Sequence, residues 1–373
     1  MSKLKRIFRL RTLLVVASIG SSLALLCVYL SPFVHPDTLS LLPFFGLSYW
    51  IVLFAHLLLL IIWAFMRSRW SLILLFFIFL GGKLHFRMFA FGSDEENTGA
   101  TELHIMSYNV RLFDLYNPDW SAALHSRNQI FDYIKQQDPD VLCFQEFYQQ
   151  DAPTRFVTRD SILQLMGYVD YHERYVHQAS GHQNYGIALL SRYPIIEKGF
   201  VNFPNQNSSQ NFCIYADIVK GDTFRIYNVH LQSIRLQKDD YALFTDEGAS
   251  HASDVQSSNV FKLLNKIRMA YPVRAEQARC IVEHAKNSPY PVILCGDFND
   301  TPLSYTYNLF NGYFTDAFRN TSFGTGSTYA GQIPAGRIDY IFHSPLIGSK
   351  EFRIQNEQYS DHYAIDCKLF MKE

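Results

Sequence analysis

Hydrophobic positions fall into two regimes along this chain. Near the start they form long uncharged runs, Leu13–Val34 and Leu39–Met66. About 20 apolar residues reach across the hydrocarbon core of a bilayer, so each run predicts a membrane-spanning helix. A third run, Trp70–Gly82, is shorter and continues past Lys83 and Arg87 to Phe91, two cations with stems long enough to snorkel. It fits a third span over about 70–91 or a re-entrant or interfacial helix. Beyond a polar linker at 93–101, the apolar residues break into short runs: LHIMSYNV, DVLCFQE, YGIALLS, FCIYADIV, FRIYNVHL, PVILCGDF, RIDYIF and HYAIDCKLF. Continuous runs of this length predict strands buried on both faces. Ala122–Gln137 and Val273–Asn287, the latter behind Pro272, read as helices. Gln232–Tyr271 is more polar and irregular, an expected surface excursion. The alternation predicts an α/β domain over 102–373 behind a helical transmembrane anchor over 1–92.

Charge sharpens this division. Residues 1–92 hold nine Lys/Arg against one acid, Asp37, a net +8, and residues 93–373 hold the remaining 24 Lys/Arg against 33 Asp/Glu, a net −9. Basic residues precede the first span (Lys3, Lys5, Arg6, Arg9, Arg11) and follow the second (Arg67, Arg69), while Ser31–Ser40 has none. The positive-inside rule then places the N-terminus in the cytoplasm of an integral membrane protein, a bacterial inner-membrane one on this reading. Three spans carry the α/β domain to the extracytoplasmic side, and two leave it cytoplasmic. No small-x-small cleavage site follows the first run, so it is expected to stay as a span rather than leave as a signal peptide. The six Cys lack CxxC spacing or a Cys/His cluster, which argues for free thiols and against zinc.

Polar residues gather where the buried runs end. Asn109 closes one, Gln145 and Glu146 the next, and Asn228 and His230 another; GDFND adds Asp297, Asn299 and Asp300, RIDY adds Asp339, and SDH adds Asp361 and His362. Each alone suits a turn or a helix cap. Together they put carboxylate, amide and imidazole at six strand ends, where open α/β sheets place their sites. Such oxygen donors suit Mg²⁺ or Mn²⁺, and two histidines beside acids suit proton transfer and charge stabilisation at phosphorus. Phosphate-ester hydrolysis needs this set.

In their order, SYN, QE, YGIALLS, NVHL, GDFND, RIDY and SDH resemble the endonuclease/exonuclease/phosphatase superfamily, the group of DNase I, exonuclease III-type enzymes, neutral sphingomyelinases and inositol polyphosphate 5-phosphatases. The resemblance covers about residues 101–373 and implies a four-layer α/β sandwich of two mixed sheets. It also implies roles: Glu146 as principal metal ligand with Asn109 beside it, Asp361 toward a second metal or water, and Asp297 orienting or deprotonating the attacking water. Asn299 would hold phosphoryl oxygens. His362, oriented by Asp339, would contact the scissile phosphate, and His230 matches the second histidine of the DNase I and sphingomyelinase branches. A degenerate member that only binds, an interaction module, is the alternative from another class.

On substrate, a net charge of −9 without a basic run suits a duplex poorly. The residues around GDFND and RIDY lack the Trp, Arg and CDR surroundings of the 5-phosphatase branch. A membrane tether favours a lipid head-group phosphodiester, with a DNase I-like endonuclease as the alternative. The expected partners are the bilayer and the phosphoester substrate, and no protein partner is indicated. Tyr175, Tyr185, Phe310 and Tyr329 are candidates to line a cleft.

Overall fold

The structure is a computed structural model and describes residues 3–96, 101–115, 120–151, 154, 156–179, 182–204, 212–234, 253–331 and 336–372. The chain forms two compact units, Met1–Met88 with Thr301–Asn308, and Phe89–Asp300 with Leu309–Glu373.

The first unit is helical: α1 (Lys3–Leu30), α2 (Leu42–Leu47), α3 (Tyr49–Phe65), α4 (Trp70–Gly81) and α5 (His85–Met88). Phe8–Leu30 and Trp70–Met88 are long and apolar enough to cross a membrane, and Tyr49–Phe65 is a shorter apolar helix of 17 residues. The helices therefore have other bounds than the runs at 13–34 and 39–66. The first run stops at Leu30 because Pro32 restricts the residue before it and cannot donate into a continuing helix. The second run breaks: Pro43 opens α2, and Ser48 separates it from α3. Polar side chains tie these helices together. Trp63 Nε1 donates to Ser18 Oγ at 2.8 Å, and fully buried His56 sits between Leu74 O and Ser21 Oγ, each at 3.0 Å.

The second unit contains two six-stranded mixed sheets. One has the order β13 (Ile347–Ile354), β14 (Ile365–Met371), β2 (Glu102–Asn109), β3 (Val141–Gln150), β5 (Gln183–Ser191), β4 (Asp170–Ala179). The other runs β10 (Thr315–Asp316), β12 (Asp339–His343), β9 (Val292–Asp297), β8 (Asp222–His230), β7 (Cys213–Lys220), β6 (Ile195–Phe200). A short ribbon pairs β1 (Ala90–Phe91) with β11 (Phe323–Gly324). The sheets face each other across one core, with Leu103, Ile105, Val141 and Cys143 from the first and Ile214, Ile226, Ile293, Cys295 and Ile341 from the second. Outside the first sheet lie α6 (Trp120–Gln137) and α7 (Thr158–Met166), packed through Ile130, Ile134 and Ile162. Outside the second lies α8 (Ser253–Lys286), whose His284 bonds Tyr227 at 2.8 Å. Two short helices complete the elements: α9 (Tyr305–Asn311), whose first four residues count with the first unit, and α10 (Ala317–Thr321). This is the four-layer α/β sandwich of DNase I-like proteins.

All eight predicted strands are present. β4, β6 and β13 were not anticipated, and all three are sheet edges. The expected irregular excursion is corrected in part. Residues 253–271 belong to α8, because Leu263, Ile267, Ala270 and Arg274 recur at helical spacing on a buried face; residues 235–252 lie outside the described residues. The polar stretch at 93–101 makes bonds to the second unit where it is described. Ser93 N and Glu95 N donate to Asn320 O and Ser349 O at 3.0 and 3.2 Å, so this stretch is fixed to the fold. Residues 97–100 lie outside the description.

Candidate active site

The site grows out of the inner faces of the sandwich. Along β2 the inward positions read Leu103, Ile105, Ser107, Asn109; along β8, Phe224, Ile226, Asn228, His230; along β9, Ile293, Cys295, Asp297. Each stripe begins apolar and turns polar at the C-terminal end. β2 and β3 run parallel, as do β8 and β9, so these ends meet. β12 runs antiparallel to β9 and contributes from its start, in the register Asp339 opposite Asp297. Beneath the site a polar bridge joins the sheets: Gln145 Nε2 donates to Asn228 Oδ1 at 2.6 Å, and Asn228 Nδ2 to Phe144 O and Ala188 O.

Simple alternation would turn Glu146 away from the core. Instead the pairing of β3 with β5 shifts between Phe144 and Phe147, and Glu146 adopts φ +50°. Bulges re-aim side chains in this way, and a non-glycine residue in the left-handed region signals a conformation held for a purpose. Asn299 shares the feature at φ +53°. So do four consecutive residues after Asn109: Arg111, Leu112, Phe113 and Asp114. Fully buried Phe113 anchors that turn against Phe144 and Phe147.

Asp297, 1% exposed, is the hub. Its Oδ2 accepts from Asn109 Nδ2 and Asn299 Nδ2, both at 3.0 Å, and its Oδ1 accepts from Asn299 N at 2.8 Å. His362 Nε2 and His230 Nε2 each stand 3.8 Å from Oδ2, and His230 Nε2 is 3.9 Å from Glu146 Oε1. On its other side the His362 ring meets Asp339, with Nδ1 3.0 Å from Oδ2, while Tyr329 packs edge-on against it at 5.1 Å. Asp361 lies at the rim, its Oδ2 3.6 Å from Arg111 Nε. The structure thus brings Asn109, Glu146, His230, Asp297, Asn299, Asp339, Asp361 and His362 to one end of the sandwich. Residues 106–362 match the Endonuclease/Exonuclease/phosphatase family. The chain belongs to that family.

Members of this family are hydrolases acting on phosphate esters, and they generally use divalent metals. Among solved structures, the chain is similar to the endonuclease/exonuclease/phosphatase from Bacteroides vulgatus (16% identity, TM-score 0.51, covering 73% of this chain and all of that one). It is similar also to the human nocturnin catalytic domain with bound sulfate anion (16% identity, TM-score 0.50, 73% of this chain and 94% of that one). At this identity the likeness shows the fold. Residues 11–88 match a domain of unknown function. No curated protein matches the chain.

Electrostatics separate the site's two histidines. Burial opposes charge on His362, yet the carboxylates of Asp339 and Asp297 outweigh it and hold the imidazolium up to about 10. Burial pushes His230 below the ordinary histidine range, with Asp297 opposing, so this ring is neutral at pH 7. Burial, and next the charge of Asp361, push Glu146 up to about 7, and burial raises Asp297. Two ligand sets are therefore conceivable. Asp297, Asp339 and His362 bring ligand atoms within 4.8 Å of one another, but Asp297 already accepts three N–H bonds and Asp339 is engaged with His362. The charge of Asp361 raises the cost of ionising Glu146, with the amide of Asn109 nearby, an oxygen set that a hard divalent cation would relieve.

Four contributors escaped the sequence reading. Thr328 Oγ1 receives the amides of Ile338 and Asp339, and Ser360 Oγ donates to Asn109 O. Ser107 joins the buried polar bridge, and Arg111 faces Asp361. Only Arg111, directly after SYNV, left a readable signal: a cation beside a predicted acidic centre. Of the cleft candidates, Tyr329 reaches His362, Phe310 is fully buried in the core, and Tyr175 and Tyr185 pack on the aromatic cluster around Phe147.

Proposed function

We propose that this chain is a membrane-anchored phosphodiesterase that hydrolyses a lipid head-group phosphodiester by in-line attack of water on phosphorus. The observation that carries the chemistry is the file Asp339–His362–Asp297, in which a buried imidazolium held by one carboxylate faces a second carboxylate. Asp297, its pKa raised, takes the proton of the attacking water as the water oxygen bonds to phosphorus; the ester P–O bond breaks and the departing oxygen takes a proton from solvent to leave as the alcohol. The His362 imidazolium donates to a phosphoryl oxygen, while Asn299, expected to do the same, has its N–H groups on Asp297 and Leu231 O and holds the base in place. His230 enters as a neutral donor, and its Nε2 has no hydrogen-bond partner among the described residues. Glu146, Asn109 and Asp361 would hold Mg²⁺ or Mn²⁺, which when bound neutralises negative charge on the phosphoryl group.

The tether supports the lipid substrate. Two helices have the length and composition to cross a bilayer, and the acidic second half discourages polyanionic nucleic acid. With all three apolar helices crossing, the N-terminus lies in the cytoplasm and the catalytic unit outside it. The test uses the full chain in vesicles of phosphatidylcholine or sphingomyelin with Mg²⁺, against supercoiled DNA, with Glu146→Ala as control. Head-group release abolished by the substitution supports the reading. DNA cleavage without head-group release replaces it with the endonuclease reading, and turnover of neither favours the interaction module.

A further inference from the structure

His230 and His362 are held in different ways. Asp339 orients the His362 ring through Nδ1. The Nε2 of His230 has no hydrogen-bond partner among the described residues, and its carboxylate neighbours stand at 3.8 and 3.9 Å. Its location is therefore set by backbone on either side. Its own amide donates to Phe212 O at 2.8 Å. Next along the chain, Leu231 N donates to Asp297 O at 3.0 Å, and Leu231 O accepts from Asn299 Nδ2 at 3.1 Å. One residue further, both backbone polar groups of Gln232 are taken by a single helix. The amide of Gln232 donates to Gln277 Oε1 at 2.9 Å, and its carbonyl accepts from Arg274 Nε at 2.7 Å.

Arg274 and Gln277 stand three apart on α8 and so share a face. Both are buried, at 1% and 4% exposure. Arg274 also lies 3.7 Å from Asp300, the last residue of GDFND, which is itself buried. A buried charge pair is weak evidence for stability, since apolar replacements often serve as well. What the pair accomplishes here is geometric: it joins the loop leaving β8 to the loop leaving β9. We propose that Arg274 and Gln277 are positioning residues for His230, doing through the backbone what Asp339 does for His362 through a side chain. The inference rests on the phosphoesterase reading of the site.

The test compares Gln277→Leu, which removes the acceptor, with Gln277→Glu, which keeps it. Each is made in the full chain with and without His230→Ala, and turnover of a soluble aryl phosphodiester with Mg²⁺ is measured. Gln277→Leu is expected to lower kcat by about 10- to 100-fold with KM little changed, the scale of a small misplacement of a reacting group. Gln277→Glu should recover most of that loss, and in the His230→Ala background Gln277→Leu should cost nothing further. An equal loss in both backgrounds, or no recovery with Glu, overturns the proposal while the proposed function stands. If the unmodified chain hydrolyses no phosphoester, that function fails, and NMR of ¹³C-labelled histidine then decides the positioning claim separately. Movement of the His230 ring signals by Gln277→Leu, with those of His362 unmoved, upholds it; unmoved His230 signals overturn it.

Discussion

Both units bury histidine, and the comparison shows what makes one chemical. His56 in the helical unit is fully buried, as His230 and His362 nearly are in the catalytic unit. Its ring nitrogens meet a backbone carbonyl and a serine hydroxyl, both neutral, each at 3.0 Å. A ring so placed is satisfied, and it fastens helices as a buried hydrogen-bonding group should. His362 meets carboxylates on both sides, which force a charge into a buried place, and His230 keeps Nε2 without a partner among the described residues. Burial is common to all three. The partners differ, and they separate a fastening from a reactive group.

The widest gap between the two regions is expected in turnover. His362→Ala should lower kcat/KM by about 10²- to 10⁴-fold, the range for a lost acid–base or charge-stabilising group, measured on whichever phosphoester the full chain hydrolyses. A loss below tenfold would remove His362 from the chemistry. His230→Ala should cost less, about 10²-fold, since a neutral donor is lost rather than a charge.

The third expectation concerns pH. The folded His362 holds its proton up to about 10, well above the ordinary value of 6.5. Its stabilising charge is complete below 6.5 and is lost as pH rises through about 10. Turnover should therefore fall on the alkaline side near that value. Asp339→Asn should bring the fall to lower pH, and an alkaline limb indifferent to Asp339 would break the pairing argument. The smallest effect belongs to His56. His56→Ala should leave turnover per folded molecule unchanged and lower stability in detergent by about 1–3 kcal/mol, the cost of buried partners left unpaired. A loss of turnover like that of His362→Ala would erase the distinction between the regions.

The strands legible in the sequence are those flanked on both sides by other strands or lying deep in the sandwich. Val292–Asp297 is buried at every position, and so reads as one apolar run. β6 is mostly exposed, and β4, β6 and β13 each lie at an edge, where one side faces solvent and the hydrophobic signal thins. Helix α8 was half visible. Its second half follows Pro272 with clear periodicity, whereas the first half hides its buried Leu263 and Ile267 among exposed Val260, Phe261 and Met269. Within the helical unit, length alone predicted spans, but Pro32, Pro43 and Ser48 set where helices end.

The site divides similarly. Asn109, Glu146, His230, Asp297, Asn299, Asp339, Asp361 and His362 were legible as polar residues flanking apolar runs at one end or the other, because a strand that must stay buried can carry such groups only where its core ends. Their order identified the family, and charge counting separated a basic apolar front from an acidic back. Tertiary structure decided what no spacing encodes. The parallel pairings of β2 with β3 and β8 with β9 bring the stripe ends together; the bulge at Glu146 reverses its aim; Asp339 lies against His362 although 23 positions separate them in the chain. Arg274 and Gln277 read only as polar positions on a helix until their side chains meet the peptide of Gln232. Period and composition are local and survive in one dimension. A pKa depends on which charges lie within a few ångströms and on how little water is left between them, and folding alone fixes both.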